Sequence, residues 1–165
     1  MKKYLGVKEI LAKPMNRADY NIYRGWELPA DENGADEGYL VEYLDGGKSN
    51  HLDHEGYISW SPSEVFNNVY RKVDGMIFGF AIEAAKKGHK IARNGWNGKN
   101  MFVVYQKGYP LGIPCNAQTA EAWGMLEGDL FKCEPYLQIQ MVNGSHSMWV
   151  PSVNDTLSED WFIVE

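Results

Sequence analysis

The sequence has few cysteines and no long apolar segment. Only two of its 165 residues are cysteines, and the spacing between Cys115 and Cys133 matches neither a CxxC motif nor a zinc knuckle. We therefore expect free thiols in a reducing compartment. No apolar run approaches the roughly 20 residues of a membrane-spanning helix, and the first residues lack the apolar segment of a signal peptide. These absences predict a cytoplasmic protein without membrane contact.

Positive charge is also scarce, except in one segment. The chain has 16 Lys and Arg against 22 Asp and Glu, which disfavours duplex nucleic acid as a partner because duplex affinity comes from many neutralised phosphates. Residues 84–120 contain no acidic residue and six cations, namely Lys86, Lys87, Lys90, Arg93, Lys99 and Lys107. This basic segment favours one small phosphorylated ligand. Alternatively, its first three lysines are solvated residues at the end of a helix.

Composition and local patterns together predict the fold class. Hydrophobic residues make up 44% of the chain and charged residues 23%, which excludes a disordered chain and a coiled coil. A chain of this length can form one domain or two small ones. Because each half has its own pattern of strands and turns, we predict an α+β fold with two domains, residues 1–71 and residues 74–165.

The C-terminal domain is predicted to be a small antiparallel sheet packed against a helix. Apolar spacing favours a helix over residues 75–87, capped by Asp74 and ended by Gly88. The predicted strands cover residues 89–93, 101–106, 135–142, 146–150 and 161–164, with a type I′ turn at Asn143-Gly144. Between the second and third strands we expect an irregular loop, residues 107–116, and a short helix, residues 117–126.

The N-terminal domain is predicted to be a smaller α+β hairpin–helix module. Asn16 is placed to cap a short helix, and strands are expected over residues 39–44 and 57–60. Ser61 and Glu64 have the spacing of a capping box for a helix that begins at the following proline. This unit resembles a short module found in assorted phage proteins, with which no activity is associated.

Two histidines lie in the long loop between those strands. His51 and His54 are residue types that bind metals, but no second pair of ligands accompanies them. We therefore predict a solvated loop and no metal site.

Residues 93–99 form the first candidate ligand site. They combine two cations, two amides and an indole, namely Arg93, Lys99, Asn94, Asn97 and Trp96, and the last two lie between glycines. An arginine can hold a phosphate through two hydrogen bonds, an indole can stack on a purine, and an amide can bind a ribose or a base edge. Alternatively, the segment is a hairpin turn that needs its glycines, with Trp96 folded over the core.

The second candidate lies near the end of the sequence. Trp149 closes a predicted strand, and Ser152 and Asp155 follow in a polar loop. An aromatic side chain with short polar residues after it can close a pocket over a ribose. The alternative interpretation is a core tryptophan followed by a capped turn.

Several segments of the C-terminal half resemble a known viral family. Residues 76–96 read MIFGFAIEAAKKGHKIARNGW, and the later segments are Pro135-Tyr136, Trp149-Val150-Pro151-Ser152 and Ser158-Glu159-Asp160-Trp161. Over about residues 74–165 the chain resembles the phage Thoeris anti-defence proteins of the second type. The departure from that pattern is a long segment at residues 107–131.

The resemblance implies a function and an assembly. Proteins of that family sequester cyclic ADP-ribose isomers such as glycocyclic ADP-ribose, and in some members cyclic dinucleotides, without cleaving them. It therefore implies a non-enzymatic sponge that uses no cofactor, acts in the host bacterial cytoplasm and inhibits Thoeris and CBASS immunity. It also implies a homotetramer, and it assigns ligand binding to both candidate sites.

Two other function classes remain open. A hydrolase acting on a cyclic nucleotide would need a paired base and nucleophile, or a metal cluster, and the basic segment contains neither as a motif. A structural or host-interaction protein fits the N-terminal half better than the C-terminal half.

The sequence offers its own reason to expect an oligomer. Apolar residues alternate along two predicted strands, at Met101, Val103, Tyr105, Leu137, Ile139 and Met141. A sheet with few helices to cover it usually buries its remaining apolar face against a partner. We therefore expect this face to contact a second copy of the chain.

Overall fold

The computed structural model describes residues 1–4 and 6–165. The chain divides into two compact units, Met1–Arg71 and Lys72–Glu165. Each unit combines antiparallel strands with short helices, so the α+β class is confirmed. Within the residues that the structure describes, no helix has the length and apolar character needed to span a bilayer.

The N-terminal unit is a three-stranded antiparallel sheet with two helices. Its elements are β1 (Ile10–Pro14), α1 (Arg17–Arg24), β2 (Gly38–Tyr43), β3 (Tyr57–Pro62) and α2 (Ser63–Val69), and the strand order is β1-β2-β3. The Asn16 side chain caps α1 by accepting a hydrogen bond from the Asp19 N–H at 2.8 Å, as predicted. Tyr20, Leu40 and Ile58 form the buried core of the unit.

The predicted capping box before α2 is absent. The helix begins at Ser63, and Pro62 precedes it without a side-chain hydrogen bond to the helix. Ser61 cannot act as the cap because β3 extends to Pro62, and Ser61 is paired with Tyr39 in the sheet. Strand pairing therefore overrides the local capping signal.

Much of the loop between β2 and β3 is exposed, as the sequence predicted, but its two histidine side chains are not. The side chains of His51 and His54 are only 18% and 13% exposed. Both rings lie against Tyr23 of α1. Across residues 1–4 and 6–165, no group of three or more His, Cys, Asp or Glu side chains is arranged to hold a metal ion.

The C-terminal unit contains a five-stranded sheet and a separate two-stranded sheet. Its elements are α3 (Phe78–Lys86), β4 (Lys90–Arg93), β5 (Phe102–Gln106), β6 (Tyr109–Pro114), α4 (Ala117–Trp123), β7 (Leu130–Cys133), β8 (Tyr136–Gln140), β9 (His146–Trp149), α5 (Val153–Leu157) and β10 (Trp161–Val164). The order of the larger sheet is β10-β4-β5-β8-β9, and all its pairs are antiparallel. The predicted sheet and its five strands are confirmed, with shifts of one or two residues at their ends.

Helix α3 begins later than predicted and ends as predicted. Asp74 is not its cap, because Met76 forms a β-bridge with Trp161 and so holds the preceding segment extended; the capping position falls on Ile77. At the other end Gly88 has a φ of 104°. The His89 N–H donates to the Ala84 carbonyl at 3.2 Å, the bond that closes a Schellman motif.

Helix α3 covers the apolar face of the five-stranded sheet. Ala81 of the helix and Val103 of β5 are both fully buried in the main core. Met101, Tyr105 and Leu137 pack against the same core. The expectation that this face is left for a second copy is therefore wrong, because a helix of the same chain occupies it.

Residues 107–116 are not an irregular loop. Strand β6 pairs with β7, with Tyr109 opposite Cys133 and Ile113 opposite Phe131, and α4 lies between them in sequence. The apolar residues of this segment form a separate two-stranded sheet, whereas the sequence was expected to place all strands of this unit in one sheet. Both cysteines are free thiols.

The hairpin between β8 and β9 is confirmed, but its turn is not type I′. Gly144 has a φ of 80°, whereas Asn143 does not have a positive φ. The Gly144 N–H donates to the Met141 carbonyl at 2.9 Å, which is the pattern of a type I turn followed by a left-handed glycine.

Candidate ligand-binding site

Arg93, at the end of β4, lies at the centre of a set of polar contacts. Its Nε donates to Asp160 Oδ1 at 2.7 Å, and its Nη1 donates to Asp155 Oδ1 at 2.7 Å. The Gly95 N–H donates to Asp160 Oδ2 at 2.7 Å, and Trp96 Nε1 donates to Asp155 Oδ1 at 3.0 Å. We refer to the connected residues as the Arg93 network; they are Arg93, Gly95, Trp96, Ser152, Asp155 and Asp160.

Asp155 connects the two candidate sites. Its Oδ2 accepts hydrogen bonds from the Ser152 N–H at 3.0 Å and the Ser152 hydroxyl at 2.7 Å. The Asp155 N–H in turn donates to Ser152 Oγ at 3.1 Å, which completes a capping box at the start of α5. Its Oδ1 accepts from Arg93 and Trp96. Each carboxylate oxygen of this buried residue therefore has two donors, which offsets the cost of burying a charge.

The hydrogen bonds of the network keep its carboxylates ionised. Burial alone would raise the pKa of Asp155, but the donors Ser152, Arg93 and Trp96 outweigh it and lower the pKa to about 2. The hydrogen bond from Arg93 lowers the pKa of Asp160 below its usual value. One cation is thus held between two anions, and the Arg93 side chain is only 13% exposed.

Three tryptophans pack edge to face beside the network. The ring centroids of Trp96 and Trp149 are 5.9 Å apart, those of Trp96 and Trp161 are 5.5 Å apart, and those of Trp149 and Trp161 are 6.1 Å apart. Trp161 is fully buried, and the other two are partly buried against the same core. This is the packing that the alternative interpretation of Trp96 describes, with the indole folded over the core.

The two glycines of the loop are close-packed against other side chains of the same unit. A Cβ on Gly95 would lie 2.9 Å from Asp160 Oδ2, and a Cβ on Gly98 would lie 2.3 Å from Met101 Sδ. Neither has a positive φ, so close packing rather than backbone conformation accounts for both glycines.

The remaining predicted side chains of the loop are exposed. Asn94, Asn97 and Lys99 all have exposed side chains, whereas Arg93, Trp96, Trp149, Ser152 and Asp155 are brought together in or beside the Arg93 network. The eight predicted residues therefore fall into an inner group that belongs to the network or packs beside it, and an outer group of three exposed side chains on the loop.

The basic segment is partly neutralised within the chain. Lys86 forms an ion pair with Glu83 at 2.8 Å, and Lys90 Nζ lies 4.8 Å from the ring centroid of Phe102. Lys99 and Lys107 are exposed. The positive charge that the loop itself offers to solvent therefore comes from Lys99 rather than from Arg93.

Asp160 belongs to the network but was not predicted as a site residue. It accepts hydrogen bonds from Arg93 and from the Gly95 backbone, across 67 and 65 residues of sequence. The signal that could have identified it is its position directly before β10, which pairs with β4 so that Trp161 lies opposite Arg93.

Comparison with known proteins identifies the family of the C-terminal unit. Residues 76–164 match the Thoeris anti-defense 2-like domain. The chain belongs to the Thoeris anti-defense 2-like family. A curated relative, named Thoeris anti-defense 2 and found in Bacillus phage SP01, is 37% identical over 93 residues, which cover 54% of this chain and 94% of the relative.

The Thoeris anti-defense 2-like match contains the whole Arg93 network. It also runs through residues 107–131, which were expected to depart from the family pattern, whereas residues 1–75 lie outside it. Membership of this family identifies the C-terminal unit as a phage anti-defence domain.

Proposed function

We propose that the protein is an anti-defence sponge that binds cyclic nucleotide immune signals and releases them intact. The ligand class would be cyclic ADP-ribose isomers such as glycocyclic ADP-ribose, with cyclic dinucleotides as a second class. The observation that carries this proposal is the family match over residues 76–164. A sponge of this kind would act inside the host bacterium against Thoeris immunity, and against CBASS immunity where it accepts cyclic dinucleotides.

The geometry supports different roles for the inner and outer residues. Asn97 and Lys99 are exposed and would contact the ligand, Lys99 as a cation for phosphate and Asn97 as a donor and acceptor for ribose or base. Asn94 is exposed beside them. Both carboxylates of the network already bind the Arg93 guanidinium. Arg93 would therefore position the loop, and only its remaining N–H groups could donate hydrogen bonds to a phosphate.

Trp96 and Trp149 would contribute to the ligand site from its floor. Both are partly buried, so part of each indole is still accessible, and an exposed aromatic face supports a stacked base. Ser152 and Asp155 would then act through the capping box that holds α5 beside these indoles.

The proposed assembly is a homotetramer with ligand sites completed by neighbouring copies. Since α3 covers one face of the five-stranded sheet, contacts between copies would use the other face. That face carries half-buried apolar side chains, namely Phe102, Val104, Tyr136, Phe162 and Val164. Shared sites would suit a small domain that lacks room for a deep cleft of its own.

Calorimetric titration of the purified full chain with glycocyclic ADP-ribose, and separately with a cyclic dinucleotide, tests the proposal. Saturable binding of at least one of the two supports it. Absence of binding to both contradicts the sponge and favours a structural or host-interaction role.

A further inference from the structure

A chain of hydrogen bonds in the N-terminal unit joins three side chains that can transfer a proton. The Tyr23 hydroxyl lies 2.9 Å from His54 Nε2, and His54 Nδ1 lies 2.7 Å from Glu42 Oε2. The other oxygen of Glu42 accepts the Gly56 N–H at 2.9 Å. We refer to Tyr23, His54 and Glu42 as the Tyr23 relay. It lies outside the family match, which begins at residue 76.

The contacts of Glu42 determine the direction of the relay. The Gly56 N–H and then His54 lower the pKa of Glu42, so it is an anion that accepts the proton on His54 Nδ1. In a neutral imidazole the other nitrogen, Nε2, is then an acceptor, and it accepts a hydrogen bond from the Tyr23 hydroxyl. The order of hydroxyl, imidazole and carboxylate is that of a nucleophile, its general base and the group that orients the base.

The loop that carries His54 is fixed in place by its own hydrogen bonds. Asn50 donates from its side chain to the Ile58 carbonyl at 2.9 Å and accepts the Ile58 N–H at 2.8 Å. The Ser49 hydroxyl lies 2.8 Å from the His54 carbonyl. His51 stacks on Tyr23 with ring centroids 4.4 Å apart. Both ends of the hydrogen bond between Tyr23 and His54 are therefore held before any ligand arrives, as catalysis requires.

An open depression of about 200 Å³ lies beside the relay. Its lining combines Glu42 and His54 of the relay with apolar side chains and one lysine, namely Leu11, Ala12, Leu40 and Lys13. Lys13 Nζ also lies 5.2 Å from the ring centroid of Tyr23. A single cation next to the phenol suits a reacting group with one negative charge, and the apolar side chains suit an aromatic or aliphatic substituent on it. A phosphodiester has both features.

We propose that Tyr23 is a nucleophile and that the N-terminal unit hydrolyses a phosphodiester through it. In the first step the Tyr23 oxygen bonds to phosphorus as the P–O bond to the leaving group breaks. His54 Nε2 takes the phenol proton and passes it to the departing oxygen. In the second step His54 Nε2 takes a proton from water, whose oxygen bonds to phosphorus as the bond between phosphorus and the Tyr23 oxygen breaks, and His54 returns that proton to the Tyr23 oxygen. The net reaction consumes one water and yields an alcohol and a phosphomonoester.

The test uses the full chain and bis(p-nitrophenyl) phosphate. We expect p-nitrophenolate release above the buffer blank, and a phosphoryl adduct on Tyr23 in mass spectra of acid-quenched protein. Tyr23→Phe keeps the ring and its stacking on His51 but removes the hydroxyl, so release should fall by at least about tenfold. His54→Gln should lower release to a similar extent. Tyr4→Phe is the matched control, since Tyr4 is 86% exposed and outside the relay.

The contrary results are equally definite. No release above the blank, or equal release by Tyr23→Phe and Tyr4→Phe, overturns the proposal and leaves the relay as a fastening between α1 and the loop. Thermal melting of each variant separates lost activity from lost folding, and Tyr23→Phe decides the matter if His54→Gln does not fold. The result of this test does not depend on the proposed sponge function, because the candidate ligand-binding residues lie in the C-terminal unit and the Tyr23 relay lies in the N-terminal unit.

Discussion

Arg93 Nη1 donates to Asp155 Oδ1 at 2.7 Å, although the two residues are 62 positions apart in sequence. The bond joins the end of β4 to the first turn of α5, so the loop after Arg93 and the closing segment of the chain are held together. The candidate ligand surface is therefore supported by the buried and charged side chains of the Arg93 network, and it is not a flexible turn.

The first prediction concerns acid stability. The pKa of Asp155 falls from 3.8 to about 2 on folding, so its contribution is fully present above about pH 4 and is lost as the pH falls towards 2. A shift of this size corresponds to about 2 kcal/mol. Asp155→Asn should lower the free energy of unfolding at pH 7 and flatten its decline between pH 4 and 2, as measured by urea denaturation.

Glu159→Gln is the control for this experiment. This substitution also removes one carboxylate, but Glu159 is exposed. It should leave both the stability at neutral pH and its acid dependence close to those of the unchanged protein. An Asp155→Asn variant as acid-sensitive as the parent would show that the carboxylate is not ionised in the manner described.

The second prediction concerns Trp96. Its indole packs against Trp149 and Trp161 and donates to Asp155, so Trp96→Ala should destabilise the C-terminal unit by about 3 kcal/mol. Trp96→Phe keeps most of the packing and should cost only about 1 kcal/mol through the lost hydrogen bond. Trp123→Ala serves as a control, because Trp123 is 63% exposed. Comparable stability for Trp96→Ala and Trp123→Ala would place Trp96 outside the core.

The third prediction concerns the exposed loop residues, which should affect ligand binding and not the stability of the Arg93 network. Lys99→Ala and Asn97→Ala should each weaken ligand binding by about 1 to 2 kcal/mol, as expected for one charge-assisted or neutral hydrogen bond, with no change in melting temperature. Lys107→Ala removes an equally exposed lysine outside the loop and should bind as the parent does. If all three variants bind alike, the ligand does not contact the loop.

The fourth prediction concerns assembly. Light scattering during size-exclusion chromatography should give about four times the chain mass of 18.8 kDa. Val104→Glu places a charge on the uncovered face of the sheet and should lower the mass, whereas Lys107→Glu should not. A monomer that still binds ligand would exclude a site shared between copies.

Local patterns sufficed for much of the fold. The five strands of the larger sheet follow from alternation and from turn residues, and Gly88 marks the end of α3 because its φ of 104° suits glycine. The errors at Ser61 and Asp74 share a cause: each residue lies where strand pairing extends further than the local signal suggests. Pairing partners distant in sequence are not visible to a local rule.

The candidate site was predictable only in part. Arg93, Trp96 and Asp155 stood out by residue type, but their mutual contacts depend on a register that places Arg93 opposite Trp161. A shift of one residue would move Arg93 to the other face of the sheet. Asp160 shows the same limit, since nothing near it in sequence indicates that its partner is Arg93. The sequence therefore predicted which residue types the loop offers to a ligand. It did not predict which of these side chains bind other residues of the protein and so hold the loop in place.

The most direct test of the sponge is recovery of the bound signal. The purified chain is incubated with glycocyclic ADP-ribose, separated from free ligand and denatured by heat, and the supernatant is analysed by mass spectrometry. We expect the unaltered cyclic nucleotide in amounts stoichiometric with protein. Recovery of a linear or cleaved product would contradict the account, and so would recovery of no nucleotide from both this incubation and a parallel one with a cyclic dinucleotide.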